Sequence, residues 1–121
     1  MDLRRSFFRR LRVRSKVWLE LDGVPVFGDG KADLLRRIEQ YGTLRGAARM
    51  MSLSYRAAWG RLREMEKRMG VALVNRHPGG AHGGRAQLTD AGRELLRAYD
   101  RFRQGLETII EKRFARRFAR D

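Results

Sequence analysis

Between Thr43 and Leu62 the chain carries two potential helix starts only eleven residues apart, and this spacing constrains the fold more than any other feature. Thr43 and Ser54 each carry a hydroxyl that can accept a backbone N–H from the first turn of a following helix. Two short helices around a tight turn at Ser52-Leu53 follow from this. Ala47 and Ala48 are small enough to let the second helix cross closely over the first. In that second helix, expected over Ser54–Met69, the residues Ala58, Leu62, Met65 and Met69 repeat at helical spacing and define an apolar back. Tyr55, Arg56 and Arg61 are then turned toward solvent. A helix with such a back and a polar, aromatic and basic front suits a DNA major groove. A plain helical hairpin with solvated arginines is the alternative for this segment alone.

Charge bears on that choice. The 121 residues carry 28 Lys and Arg against 14 Asp and Glu, a formal net charge of +14. Self-repulsion on this scale opposes a compact state, and a polyanionic partner relieves it. Nucleic acid is the first such partner, because each neutralised phosphate releases a condensed counterion. There are no cysteines, which excludes disulfides, thiolate metal sites and Cys nucleophiles. No apolar stretch approaches the roughly 20 residues of a spanning helix, and the basic Met1–Val17 segment lacks the apolar core of a secretory signal. No membrane association is expected, and the cytoplasm of a bacterium is the expected location. Residues 1–16 are expected to form a basic N-terminal arm, disordered or in contact with DNA.

The elements around the helix pair can be read in order. Val17–Leu21 and Val24–Phe27 flank Asp22-Gly23, a strong hairpin signal, with Leu21 expected opposite Val24 and Leu19 opposite Val26. That register gives one aliphatic face, and Pro25 marks an edge strand. A helix from about Lys31 to Tyr41, capped by Asp29 or Gly30, presents Leu34, Leu35, Ile38 and Tyr41, with Gly42 just past its end. After Gly70 come a strand at Val71–Arg76 and a return at Ala86–Thr89. Between them lies a basic, Gly-rich loop that includes His77, His82 and Arg85. A last helix begins near Asp90 with Thr89 as its cap. The expected fold is mostly α with a small β component: a winged helix-turn-helix preceded by a β-hairpin and followed by a long dimerisation helix. Residues 17–89 form the hairpin and DNA-binding domain, and residues 90–121 form the dimerisation helix and basic tail.

Three segments in this order resemble the DNA-binding domain of the molybdate-responsive ModE regulators, itself similar to the LysR-type winged helix-turn-helix. They are Ser54-Tyr55-Arg56-Ala57-Ala58-Trp59, Leu73-Val74-Asn75-Arg76 with the Gly79–Gly84 loop, and Leu88-Thr89-Asp90-Ala91-Gly92 running on to Leu96. The resemblance covers roughly Val17 to Leu106 and implies a bacterial transcription regulator acting on double-stranded DNA. Family members that sense molybdate do so through a C-terminal β-rich module. The sequence ends at Asp121 without one, so molybdate binding is not expected.

Individual residues carry expectations of their own. Arg56, in the first turn of the recognition helix, can bond guanine O6 and N7 bidentately or hold a phosphate. Tyr55 can touch a thymine methyl or a phosphate, or pack on the turn. Ser54 is a cap that can also meet a phosphate. Arg45 and Arg49 on the preceding helix, with Arg61 and Arg63, are expected at the phosphate backbone, the alternative being a solvated face. Trp59 borders the apolar stripe and is expected to be buried. On the wing, residues 77–85, and at the end of the strand before it, the basic groups are Arg76, His77, His82 and Arg85.

The wing is not a P-loop, since it lacks the Gly-Lys-Ser/Thr ending and does not run from a strand into a helix. Two histidines on one loop make a poor metal site, so neither metal nor cofactor is expected. Glu64, Glu66, Glu94 and Glu107 fall in Arg-rich helices, no catalytic constellation stands out, and no enzyme is expected. Leu95, Tyr99, Phe102, Leu106 and Ile109 alternate four- and three-residue steps, the seam of a two-helix coiled coil and hence of a homodimer. Phe114 and Phe118 are expected to wrap onto the partner. A sequence-independent architectural protein is the alternative function, and a protein–protein interaction module a third.

Overall fold

The computed structural model of the chain describes residues 3–77 and 84–118. The chain forms two units: one is Val17–Tyr99, the other comprises the segments that flank it.

The Val17–Tyr99 unit opens on an antiparallel hairpin, β1 (Trp18–Leu21) and β2 (Val24–Gly28). Asp22 and Gly23 both adopt positive φ, 52° and 79°, as a two-residue hairpin turn of this kind requires. Leu21 faces Val24 as expected, but Leu19 faces Phe27, not Val26, because a bulge falls between Leu19 and Glu20. The cause is burial. Val26 and Phe27 are consecutive, yet both lie in the core, which strict alternation forbids. Making Val26 the extra residue turns both inward. The face is thus not a uniform aliphatic ladder, and Leu21 and Val24 remain exposed.

Helix α2 (Asp29–Tyr41) starts two residues earlier than expected. Gly28 occupies the N-cap position without a side-chain cap bond, so neither Asp29 nor Gly30 is the cap. The Asp29 carboxylate instead accepts a hydrogen bond from the Tyr99 hydroxyl. Ala32, Leu34, Leu35 and Ile38 are buried. Tyr41, expected on that stripe, is 40% exposed at the end of the helix. Gly42 closes α2 with φ 73° and donates its N–H to the Ile38 carbonyl.

Helices α3 (Leu44–Met50) and α4 (Tyr55–Met69) follow, then an antiparallel pair β3 (Val74–His77) and β4 (Arg85–Leu88), with Val74 opposite Leu88 and His77 opposite Arg85. Strand β3 starts three residues later than the sequence suggests. The Glu66 carboxylate accepts the N–H groups of Leu73 and Val74, at 2.8 and 3.2 Å, which fixes the approach to the strand. The Ala86 N–H donates to the Gly42 carbonyl at 2.8 Å and ties β4 to the end of α2.

Helix α5 (Asp90–Phe118) begins where Thr89 acts twice. Its Oγ1 accepts the Gly92 N–H at 3.0 Å and donates to the Ala72 carbonyl at 2.7 Å. A Cβ on Gly92 would lie 2.2 Å from the Leu73 carbonyl oxygen, so helix and chain touch backbone to backbone there. Leu96 and Tyr99 complete a core that includes Phe27, Leu34, Leu35, Ile38, Leu62, Met65 and Leu73. Phe27 meets the Tyr99 ring edge to face, centroids 5.1 Å apart.

In the other unit, part of the basic arm is helical, α1 (Leu3–Arg10). Phe8 lies 5.7 Å from Phe118, ring centroid to centroid, and Phe114 stacks on Phe118 at 5.0 Å. Helix α5 continues through Phe118, and both rings have neighbours in their own chain. Arg103 donates to the Ser15 hydroxyl at 2.8 Å and the Ser15 carbonyl at 2.9 Å.

Candidate nucleic-acid interface

The α3–turn–α4 segment is built by its caps. Thr43 Oγ1 accepts the Gly46 N–H at 2.9 Å, and Ser54 Oγ accepts the Ala57 N–H at 3.0 Å, as expected for both. Ala47 and Ala48 are buried at the crossing, and Ser52 makes the turn with φ 55°. The Leu53 N–H returns to the Ala48 carbonyl at 2.9 Å. Together these bonds fix where α4 starts.

Ala58, Leu62 and Met65 are the buried side of α4, with Met69 packed against the core at its end. At roughly 100° per residue, the direction opposite this stripe is occupied by Arg56, Gly60, Arg63 and Lys67. All four are exposed. Arg61 is exposed too, but it points roughly 140° away from Arg56 around the axis, so the two cannot meet one flat surface together. Arg68, on that same flank, donates to Glu64 at 3.0 Å.

Neighbouring elements hold the remaining predicted residues. Arg45 and Arg49 are exposed one turn apart on α3, and the Arg45 guanidinium lies 4.8 Å from the Tyr55 ring centroid. Tyr55 is itself 41% exposed. Arg76 and His77 lie on β3, with Arg85 opposite His77. His82 and the loop 78–83 lie outside the described residues. Trp59 is half-buried, and its ring carries two guanidinium groups: Arg76 at 3.1 Å from the centroid and Arg63 at 5.2 Å. Trp59, Arg63, Lys67 and Arg76 thereby line one concave surface, with Glu64 and Glu66 at its side.

Sequence reasoning missed two things here. Glu66 was placed only as one acidic residue of an Arg-rich helix, but its carboxylate holds the backbone of Leu73 and Val74. Arg76, expected only as one of the basic groups of the wing, is laid on the Trp59 indole. A glutamate on the flank of a helix, next to a Gly turn and a strand, gives only a faint sequence signal of the first.

On α5, Tyr99 leaves the expected dimer seam, because it is 3% exposed and belongs to the core of its own unit. Leu95 is packed partly against that same core, and Leu96, its neighbour, is the residue fully buried. Phe102 and Ile109 are exposed, 49% and 55%, and Leu106 is half-buried. Among the described residues no group of His, Asp and Glu is placed to hold a metal ion, and no helix is long and apolar enough to cross a membrane.

A crossed helix pair with capped starts, a preceding helix and a following two-stranded hairpin define the winged helix-turn-helix class of DNA-binding domains. Residues 31–93 match the family described as bacterial regulatory helix-turn-helix protein, lysR family, and the chain belongs to it. It is 37% identical over 81 residues to the molybdenum-pterin-binding protein MopA of Rhodobacter capsulatus, covering 67% of this chain and 31% of MopA. It is 36% identical over 88 residues to the molybdenum transport protein ModE of Azotobacter vinelandii, covering 73% and 33%. Against the DNA-binding transcriptional dual regulator ModE of Escherichia coli K12 it is 36% identical over 70 residues, covering 58% and 27%. The chain spans about a third of the length of these curated relatives.

Proposed function

We propose that this chain reads duplex DNA with the outward line of α4, flanked by the β3–β4 hairpin and its loop, as a homodimer that regulates transcription. The observation that carries the reading is the placement of Arg56, Arg63 and Lys67 on α4 opposite Ala58, Leu62 and Met65, on a helix whose start is fixed by Ser54. Arg56 is the base-reading residue, since the first turn of a recognition helix reaches deepest. Arg45 and Arg49 hold phosphates from α3, and Arg76 and Arg85 do so from the hairpin. From its relatives the reading takes DNA-directed regulation alone.

Dimerisation uses Phe102, Leu106 and Ile109, which fall within roughly 60° of one another on α5. Gly105 borders this stripe, and a Cβ built there meets nothing within 4 Å, which leaves room for a second helix to approach closely. Two copies of α4 on one DNA face call for a partially palindromic operator, with half-sites one helical turn or a multiple of it apart.

The decisive experiment compares Arg56→Ala with the wild-type chain on duplexes selected from a random pool and on unselected duplexes. Preference for the selected site should fall about tenfold, while binding to unselected DNA falls less. Unchanged affinity for every duplex would remove α4 from the reading role. A sequence-independent binder would show little preference even as wild type.

A further inference from the structure

Glycine inside a helix destabilises it relative to alanine, so each such position calls for a cause. Within the chain, Gly46 and Gly92 have one. A Cβ on Gly46 would come 2.8 Å from Thr43 Oγ1, and one on Gly92 would come 2.2 Å from the Leu73 carbonyl oxygen. Gly60 has none, because a Cβ built there meets nothing within 4 Å. It is the sixth residue of the 15-residue α4, far from both caps. It also lies within roughly 15° of the direction opposite the buried stripe of Ala58, Leu62 and Met65.

Three cations share that outward line with it, and Glu64, one turn on, borders the line. Arg56 stands one turn before it, Arg63 and Lys67 one and two turns after. The most protruding ridge of α4 is therefore a row of long basic side chains with a gap in the middle, where the backbone itself is the surface. Arg63 is steadied by the Trp59 ring, 5.2 Å away on the side turned from the gap. Glu64, the nearest carboxylate on the helix surface, is drawn aside to Arg68 at 3.0 Å.

We infer that Gly60 sets how deeply α4 seats in the DNA groove: its missing side chain lets the helix backbone meet the duplex, so that Arg56 and Arg63 reach it from either side at once. The occupant is double-stranded DNA, whose phosphates flanking the groove suit cations on both sides of the gap. The inference rests on the proposed reading of α4 and adds to it a residue that discriminates by shape and carries no charge. A methyl group at Gly60 holds the helix away from the base edges. It leaves the long arginines able to find phosphates, so the sequence-independent component survives.

The test sets two properties against each other. Gly60→Ala and Gly60→Leu in the full chain should both melt a few degrees above the wild type, since each restores helix propensity in open space. Affinity for a selected duplex should fall in the order Gly, Ala, Leu, by about tenfold at the first step. Affinity for unselected duplex, and the slope of log affinity against log salt, should stay as in the wild type, because no cation is removed. The inference is overturned if Gly60→Ala binds the selected duplex as tightly as wild type. It is equally overturned if Gly60→Ala melts lower than wild type, which would give the glycine a role in the fold. Arg56→Ala, measured beside it, separates the two levels. If Arg56→Ala loses preference and Gly60→Ala does not, the DNA-reading helix stands and the seating role falls. If neither changes binding, the reading of α4 falls and takes the inference with it.

Discussion

The Arg76 guanidinium lies 3.1 Å from the centroid of the Trp59 ring, joining β3 to α4 by a cation–π contact. Glu66 joins the same two parts of the chain again through the Leu73 and Val74 amides. The strand that leads into the 78–83 loop is therefore fastened to α4 at two places about two turns apart. Cutting one fastening should be measurable. Trp59→Leu is expected to cost about 2 kcal/mol in urea denaturation, from lost ring burial and the lost cation–π contact. Arg76→Lys keeps the charge and loses the planar stack, so affinity for a selected duplex should drop several-fold with no change in the salt slope.

The two hydroxyl caps make a second pair of predictions. Thr43→Ala and Ser54→Ala should each lower stability by about 1 kcal/mol, because each strands an N–H at a helix start. Ser54→Gly should cost only a few tenths of that. Denaturant midpoints of the three variants provide the check, and a Ser54→Ala protein as stable as wild type would show the cap to be idle.

Phosphate contacts can be counted by salt titration. Arg45→Ala and Arg49→Ala should each flatten the slope of log affinity against log salt by about 0.9. Arg61→Ala should leave it unaltered, since Arg61 points away from the Arg56–Arg63–Lys67 line. Fluorescence anisotropy with one labelled duplex at several salt concentrations is sufficient. An Arg61 variant that changes the slope as much as the α3 variants do would redraw the surface.

Self-association is tested on the exposed stretch of α5. The double variant Phe102→Asp, Leu106→Asp should sediment as a folded monomer and bind DNA far more weakly than wild type. If the wild-type chain is itself a monomer at micromolar concentration without DNA, the dimer proposal is wrong.

Much of this architecture was legible in the sequence because short-range chemistry dictates it. Thr43, Ser54 and Thr89 have a first-turn N–H within reach, and Gly42 and Gly70 take the left-handed caps with φ 73° and 69°. Such choices need no distant partner. The misreadings come from choices that do. Val26 and Phe27 are both pulled into the core at the expense of the hairpin register, and Asp29 is claimed by Tyr99 from 70 residues away. On α5, a three- and four-residue apolar rhythm places Leu95 and Tyr99 on one stripe, but the rhythm does not say which partner that stripe faces. Leu96, off that rhythm, is the residue that fills the core. The expected cations of the interface were nameable from composition. That Arg61 points roughly 140° from Arg56 was within reach as well, since their five-residue spacing on a helix fixes it.

Gly92 decides which part of this chain is exchangeable. Its backbone lies flat on the Leu73 carbonyl, and Leu96 and Tyr99 follow it into the core, so the first ten residues of α5 are property of the Val17–Tyr99 unit. A chimera that joins an unrelated oligomerising helix in register after Tyr99 keeps every one of these contacts and transplants the reading head whole. A junction even one turn earlier removes Tyr99, together with its hydroxyl bond to Asp29 and its edge on Phe27. The usable splice point in this long helix is therefore fixed by a glycine seven residues upstream of it.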